Sequence, residues 1–257
     1  MVMKLPFVTT LFLITAIFAV STSGQARKPV VAKPKTVTAR SPEIGQTAIV
    51  EDETLSILRV NPSLFSESIQ RMRRGRKVQI LGVAEADGVK FYKVTAPPSS
   101  FGWVQSDAVF GKFRPGDEER LAKLVQALDG FDQIEIATEF FNIYPNSKFR
   151  PAILMLFGDL LEEVAVKLSK DATTRITRKE MAASAAPLHS YYLNFVSLDR
   201  YRKLGIVFIF NATTRLFHYD GASWKEIVSK FPTSAEAVEA QKRLDSLKTK
   251  MQSAAAK

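Results

Sequence analysis

The hydrophobic periodicity of this 257-residue chain changes at Arg114-Pro115-Gly116, and this change is the strongest constraint on its fold. Before it, short apolar runs alternate with polar residues and end at turn residues, which is typical of β-strands. After it, apolar residues recur three and four positions apart, which is typical of amphipathic helices. The sequence therefore predicts an α+β protein of two domains, a small β-barrel over 47–112 and a helical domain over 116–257.

Five strand-like segments precede this change. They lie at 48–50, 55–59, 77–82, 90–94 and 102–104. Asp87-Gly88, between the third and fourth segments, is a hairpin signal because the two central positions of such a turn need positive φ. Five short strands within about 65 residues favour a small closed barrel, since closure leaves no exposed sheet edge.

The residues of this region resemble a known domain family. In order they read LSILRVNPS, SIQRMRRGRKVQILG, FYKV and GWV, an order that resembles the bacterial SH3-like (SH3b) domain. Asn61-Pro62-Ser63 matches the family's Gly-Pro-Ser type loop. Arg74-Gly75 matches its basic turn, and Gly102-Trp103-Val104 matches its closing strand.

This resemblance implies both a fold and a ligand. It implies an SH3-like barrel at about 47–110 and, from the wall-binding members of the family, contact with peptidoglycan. The chain departs from the family pattern at Phe91, where the family often has Trp, and in the longer loop from Thr95 to Phe101.

The helical region carries one turn sequence twice. Tyr144-Pro145-Asn146-Ser147 and Phe231-Pro232-Thr233-Ser234 lie 87 residues apart, each between two helical patterns. A proline that ends one helix and a serine that caps the next resemble the paired helices of tetratricopeptide-like repeats, here at about 117–252. The resemblance implies a scaffold whose concave face binds a protein partner.

A less regular segment separates the two copies. Arg178–Phe195 has a helical pattern that Pro187 must interrupt. Gly205–Phe210 and Leu216–Tyr219 are rich in aromatic and β-branched residues and flank a polar turn, which predicts an inserted β-hairpin. A continuous helix over 205–219 stays open as the alternative, because short apolar runs do not separate the two.

The first 26 residues have the pattern of a secretory signal peptide. Lys4 precedes an apolar stretch, Leu5–Val20, and small residues follow at Gly24 and Ala26. The apolar stretch is shorter than the roughly 20 residues of a membrane-spanning helix, so we expect cleavage, with a retained anchor as the alternative. Residues 27–46, with three prolines and five basic residues, predict a basic Pro-rich linker.

These features predict an exported protein, periplasmic or associated with the cell envelope. The chain has no cysteine, so it is not lipid-anchored at a signal-peptide cysteine, and thiol nucleophiles and cysteine metal sites are excluded. Its two histidines, His189 and His218, lie outside any zinc-amidase or serine-hydrolase motif. We therefore expect a non-enzymatic protein with no cofactor and no metal. A cell-wall glycosidase using two carboxylates, from Glu162-Glu163 or Glu51-Asp52-Glu53, stays as an alternative.

The net charge of +10 favours an anionic partner, and export argues against nucleic acid. We expect peptidoglycan or another anionic envelope polymer, with a protein partner on the helical domain as a second prediction. The candidate ligand-binding residues are Arg71, Arg73, Arg74, Tyr92 and Trp103. The arginines belong to a run with five positive charges in seven residues, and the aromatic rings offer surfaces for stacking. A solvated turn and a core position for Trp103 are the competing interpretations, and a structural adaptor without wall binding is the competing function.

Overall fold

Strands occupy the first part of the chain and helices the second, so the predicted α+β class is confirmed. The structure is a computed structural model that describes residues 35–36, 41–96, 100–176, 181 and 185–252. The predicted signal peptide, 1–26, lies outside the described residues, as does most of the predicted linker, 27–46. In the described part of the chain, no helix has both the length and the hydropathy needed to cross a bilayer.

The strands form one curled antiparallel sheet. They are β1 Lys35–Thr36, β2 Thr47–Val50, β3 Ile57–Arg59, β4 Ser68–Arg71, β5 Lys77–Ala86, β6 Val89–Ala96, β7 Ser100–Gln105 and β8 Val109–Phe110. The strand order is β4-β3-β7-β6-β5-β2-β8, and β1 pairs separately with β5. Val50, Leu58, Ile80, Val94 and Val104 fill its concave interior. Alternation of buried and exposed positions thus sets which side chains face the core.

The closed barrel expected from the sequence is wrong in one respect. Among the described strands, β4 and β8 end the ladder and do not pair with each other, so the sheet is a half-barrel. The hairpin predicted at Asp87-Gly88 is confirmed, because both residues have positive φ, 54° and 72°. Strands β1, β4 and β8 were not predicted, because none of them has a run of alternating apolar residues.

The second part of the chain is mainly helical. The helices are α1 Asp117–Ala127, α2 Gly130–Ile143, α3 Arg150–Arg175, α4 Leu188–Leu193, α5 Asp199–Arg202, α6 Ala222–Lys230 and α7 Ala237–Gln252. The predicted hairpin is confirmed as β9 Phe208–Asn211 paired with β10 Leu216–Tyr219. Helix α3 lies against α2, α6 and β10, and Leu161, Phe140 and Trp224 are among the side chains buried there. Pro187 immediately precedes α4, which places the expected break where the pyrrolidine ring predicts it.

A buried carboxylate joins the sheet to the helices. Asp117 is the first residue of α1, and Gly116 (φ 83°) holds the N-cap position. The fully buried Asp117 carboxylate accepts from Arg114 Nε at 2.7 Å and Arg120 Nη1 at 2.8 Å. Arg114 Nη2 also donates to the carbonyl of Val109 in β8, at 2.8 Å. Because Asp117 and its arginines contact both parts of the chain, this network fixes the connection between them.

The two similar turns differ in detail. Ser147 Oγ accepts from the backbone N–H of Phe149 at 3.0 Å and donates to Glu118 at 2.5 Å, so this serine supports the start of α3. Ser234 Oγ is buried, and within the described residues it has no hydrogen-bond partner. The expectation that both serines cap the following helix is therefore wrong for Ser234.

Candidate functional site

Folding separates the predicted basic residues. Arg71, at the end of β4, donates from Nη1 to the backbone carbonyls of Glu53 and of Thr54, the latter at 2.8 Å. Arg73 is exposed and forms no salt bridge within the described residues. Arg71 is thus partly engaged in holding a loop, whereas the charge of Arg73 is available to solvent.

Arg74 connects the turn before β5 to helix α2. Its Nη1 lies 3.4 Å from both Asp132 Oδ1 and Glu135 Oε2, and the side chain is only 12% exposed. Its Nε donates to the carbonyl of Glu51 at 3.2 Å, and its backbone N–H donates to Glu53 Oε1 at 2.8 Å. The guanidinium is therefore opposed by carboxylates of this chain and has a structural role between sheet and helix.

Glu51, which follows β2, is buried beside this arginine. The residue is fully buried, and neither carboxyl oxygen has a hydrogen-bond partner in the described part of the chain. Burial, together with the nearby charge of Glu139, raises the pKa of the Glu51 carboxyl to about 8, and Arg74 opposes this shift. At neutral pH the fold therefore contains Glu51 in its protonated form.

Tyr92 faces the sheet interior and not the solvent. The residue is fully buried, with its ring 6.3 Å from that of Phe113 in an edge-on arrangement. Its hydroxyl donates to Glu43 Oε1 at 3.4 Å, and burial raises the pKa of the phenol to about 12. Glu43 also forms a salt bridge with Lys90, so the end of the predicted linker contacts the sheet. A ligand at the surface has no access to the Tyr92 ring.

Trp103 lies on the outer face of the sheet between two cations. In the strand register it is opposite Lys93 of β6 and opposite Arg59 of β3. Trp103 is partly exposed and Lys93 is exposed, while Arg59 is partly buried and donates from Nη1 to Ser66 O at 2.8 Å. We call Arg59, Trp103 and Lys93 the outer-face row.

The sequence alone identifies one residue of the outer-face row, Trp103. Trp103 was selected as an aromatic, but its cationic neighbours come from strands that are distant along the chain. Phe101, two positions before Trp103 on the same strand, is 61% exposed and extends the aromatic surface. Finding the row from sequence alone requires the register of three strands, because residue types do not indicate which residues are opposite each other.

The carboxylates considered for a glycosidase lie in two different environments. Burial raises the pKa of Glu162, but hydrogen bonds from His218 at 3.0 Å, Lys250 at 2.8 Å and the backbone N–H of Tyr219 at 2.9 Å outweigh it and lower the pKa to about 2. A general acid needs a raised pKa, and the pKa of Glu51 is raised, but Glu51 is enclosed. Neither Glu51 nor Glu162 combines a raised pKa with access to a substrate.

The contacts of the residues around His218 stabilise the fold. Tyr219 is buried, and Asp220 Oδ1 accepts from the backbone N–H of Ala222, the first residue of α6, at 3.0 Å, while Gly221 holds the N-cap position. The ranges that the structure describes contain no group of three or more histidine, aspartate or glutamate side chains placed to hold a metal ion.

Comparisons with protein-family models, with curated proteins and with solved structures find no match to this chain.

Proposed function

We propose that this chain is a non-enzymatic, exported envelope protein that binds peptidoglycan, or another anionic envelope polymer, through the outer-face row. The observation that carries the proposal is the position of Trp103 between Lys93 and Arg59 in the strand register. An aromatic ring offers a flat apolar surface for the face of a sugar, and cations on both sides pair with carboxylates. Peptidoglycan presents both groups within a short distance along each strand.

The finer fold assignment belongs to the same proposal. We propose that the curled sheet is an SH3-like domain and that the helices form a tetratricopeptide-like domain. Support for the first is the residue order around Asn61-Pro62-Ser63 and Gly102-Trp103-Val104, together with the antiparallel sheet in which β2 lies between β5 and β8. Support for the second is the contact of α1 with α2 and of α6 with α7. Export rests on the signal-peptide pattern of residues 1–26.

The proposal assigns different roles to the five candidate residues. Trp103 contacts the ligand, together with Lys93 and Arg59. Arg74 and Tyr92 stabilise the fold. The carboxylates of Asp132 and Glu135 lie beside Arg74, and Tyr92 is buried in the sheet interior. Arg71 and Arg73 are at the surface, where they add attraction that is screened by salt.

Tryptophan fluorescence tests the proposal directly. The chain has two tryptophans, and Trp224 is only 2% exposed. In a Trp224→Phe variant, soluble peptidoglycan fragments should change the emission of Trp103 in a saturable manner. The Lys93→Glu change in the same background should weaken this binding about tenfold, the effect of losing one charge-assisted contact. An emission spectrum that does not change with fragment concentration would contradict the proposal.

A protein partner is the second candidate function. The observation that favours it is a groove beside α2, which shares no residue with the outer-face row.

A further inference from the structure

A groove of about 810 Å³ lies between the outer surface of the sheet and helix α2. Its floor is a row of residues from neighbouring strands, because Ile49 of β2 is opposite both Lys77 of β5 and Phe110 of β8. Ile143 of α2 lines the groove from the helix. The groove thus has an apolar floor with a cation at one end.

The charges that line the groove are not balanced within it. Lys77 and Lys112 are both exposed, and within the described residues neither forms a salt bridge. Glu139 is the acidic residue among the lining side chains, whereas Asp132 and Glu135 on the same helix are already opposed by Arg74. A ligand with carboxylates therefore finds an excess of positive charge.

One wall of the groove is held in place by the fold. A Cβ at Gly111 would lie 2.3 Å from the ring of Phe113 and 3.2 Å from the carbonyl oxygen of Thr47, so only glycine permits this close approach. The carbonyl of Gly111 accepts from the Tyr144 hydroxyl at 3.1 Å, and its N–H donates to Asp117 at 3.2 Å. Because this wall is ordered before binding, little conformational entropy is lost when a ligand enters.

We propose that the groove binds an extended acidic segment of a protein partner. An apolar side chain of the segment lies over the partly exposed Ile49, beside the buried Phe110, and acidic side chains reach Lys77 and Lys112. Asn142, which is exposed on the helix side, offers an amide to the peptide backbone.

Other occupants fit the groove less well. A small inorganic anion would fill a minor part of about 810 Å³ and would leave the partly exposed Ile49 in contact with water. A hydrated polysaccharide would gain little from Ile49, Phe110 and Ile143, whose side chains favour apolar groups. An acidic peptide with apolar residues between its carboxylates contacts both the apolar floor and the two lysines.

Fluorescence anisotropy with labelled peptides tests this inference on the full chain. The probes are seven-residue peptides that alternate glutamate with leucine, valine or phenylalanine, and matched peptides with lysine in place of glutamate. We expect the glutamate peptides to bind at least about tenfold more tightly than the lysine peptides. The Lys77→Glu, Lys112→Glu double variant should reverse this preference, and Asn142→Trp should weaken binding by filling the groove.

A matched control separates the groove from the net charge of the chain. The Lys203→Glu, Lys248→Glu double variant reverses two exposed lysines elsewhere, one directly after α5 and one on α7. It should retain the affinity of the wild type for the glutamate peptides. An equal loss in both double variants would overturn the inference, because the attraction would then be non-specific. Absence of binding by all glutamate peptides up to about 1 mM would also overturn it.

Discussion

The carboxyl group of Glu51 is buried with neither oxygen hydrogen-bonded in the described residues, and its neighbours include Glu139, Glu135 and Arg74. Its pKa is about 8 in the folded state against an ordinary value of 4.5, so between these values the folded state holds a proton that the unfolded state has lost. The free energy of unfolding therefore falls as pH rises from about 4.5 to about 8, and this contribution is constant outside that window.

We predict that Glu51→Gln removes this pH dependence. The variant should gain stability relative to the wild type between pH 5 and 8, by an amount on the order of a few kcal/mol at pH 8. Urea denaturation at pH 5, 6.5 and 8 measures it. Glu67→Gln, at an exposed position, is the matched control and should give a curve parallel to that of the wild type. Parallel curves for Glu51→Gln and the wild type would show that Glu51 does not carry a buried proton.

The pH dependence that Glu162 gives to the free energy of unfolding has the opposite sign to that of Glu51. Burial raises its pKa, but hydrogen bonds from His218, Lys250 and the backbone lower it to about 2, so its stabilising contribution is present above about 4.5 and is lost as pH falls towards 2. We predict that Glu162→Gln lowers the free energy of unfolding by about 1–3 kcal/mol at pH 7. The difference from the wild type should shrink steadily in denaturation experiments between pH 5 and 2. A difference that does not depend on pH would assign the effect to packing and not to charge.

The two Pro-x-Ser turns give a prediction at the level of elements. Ser147 Oγ bonds to the backbone of Phe149 and to Glu118, whereas Ser234 Oγ has no partner in the described residues. We predict that Ser147→Ala lowers the free energy of unfolding by about 1 kcal/mol and that Ser234→Ala changes it by less than about 0.5 kcal/mol. Thermal or urea unfolding of the two variants tests the difference. Equal losses would mean that the two turns are structurally equivalent.

Local signals in the sequence predicted elements well where one residue type determines the backbone. Asp87-Gly88 predicted its hairpin because both residues tolerate positive φ, and Pro187 predicted the break before α4 because proline lacks an N–H. Asp117 shows the limit of such signals. An aspartate at a helix start favours a capping role, but the approach of Arg114 and Arg120 gave its carboxylate another partner.

Features that depend on the pairing of strands far apart in the chain could not be predicted from the sequence. Strand β8 has only two residues and is defined by its pairing with β2, from the other end of the sheet. The outer-face row depends on the register between β3, β6 and β7, and Arg59 and Trp103 are 44 positions apart. Trp103 was therefore identified as a candidate, while Lys93 and Arg59 were not.

At the scale of the whole molecule, the described sheet and helices belong to one compact unit, and the division into two domains stays a prediction. Asp117 and Arg74 both form ion pairs at the place where the sheet meets the helices. We predict that Trp103 emission, which reports on the sheet, and Trp224 emission, which reports on the helices, change at the same urea concentration in single-tryptophan variants.

Asp117→Asn should lower that midpoint and separate the two transitions, because the partly buried Arg114 loses the countercharge of the buried carboxylate. Asp107→Asn is the matched control, since Asp107 contacts the same arginines but its side chain is 58% exposed. Separate transitions in the wild-type chain would support two independently folding domains.

The central claim is that the outer face of the sheet binds an envelope polymer, and co-sedimentation with purified peptidoglycan tests it most directly. The wild-type chain without residues 1–26 should remain bound in about 0.2 M salt, where screening removes most of the attraction between exposed charges. Trp103→Ala should abolish this salt-resistant retention, whereas Lys248→Glu should leave it unchanged. Retention that is equal for the wild type and Trp103→Ala, or that disappears for the wild type in moderate salt, would contradict the account.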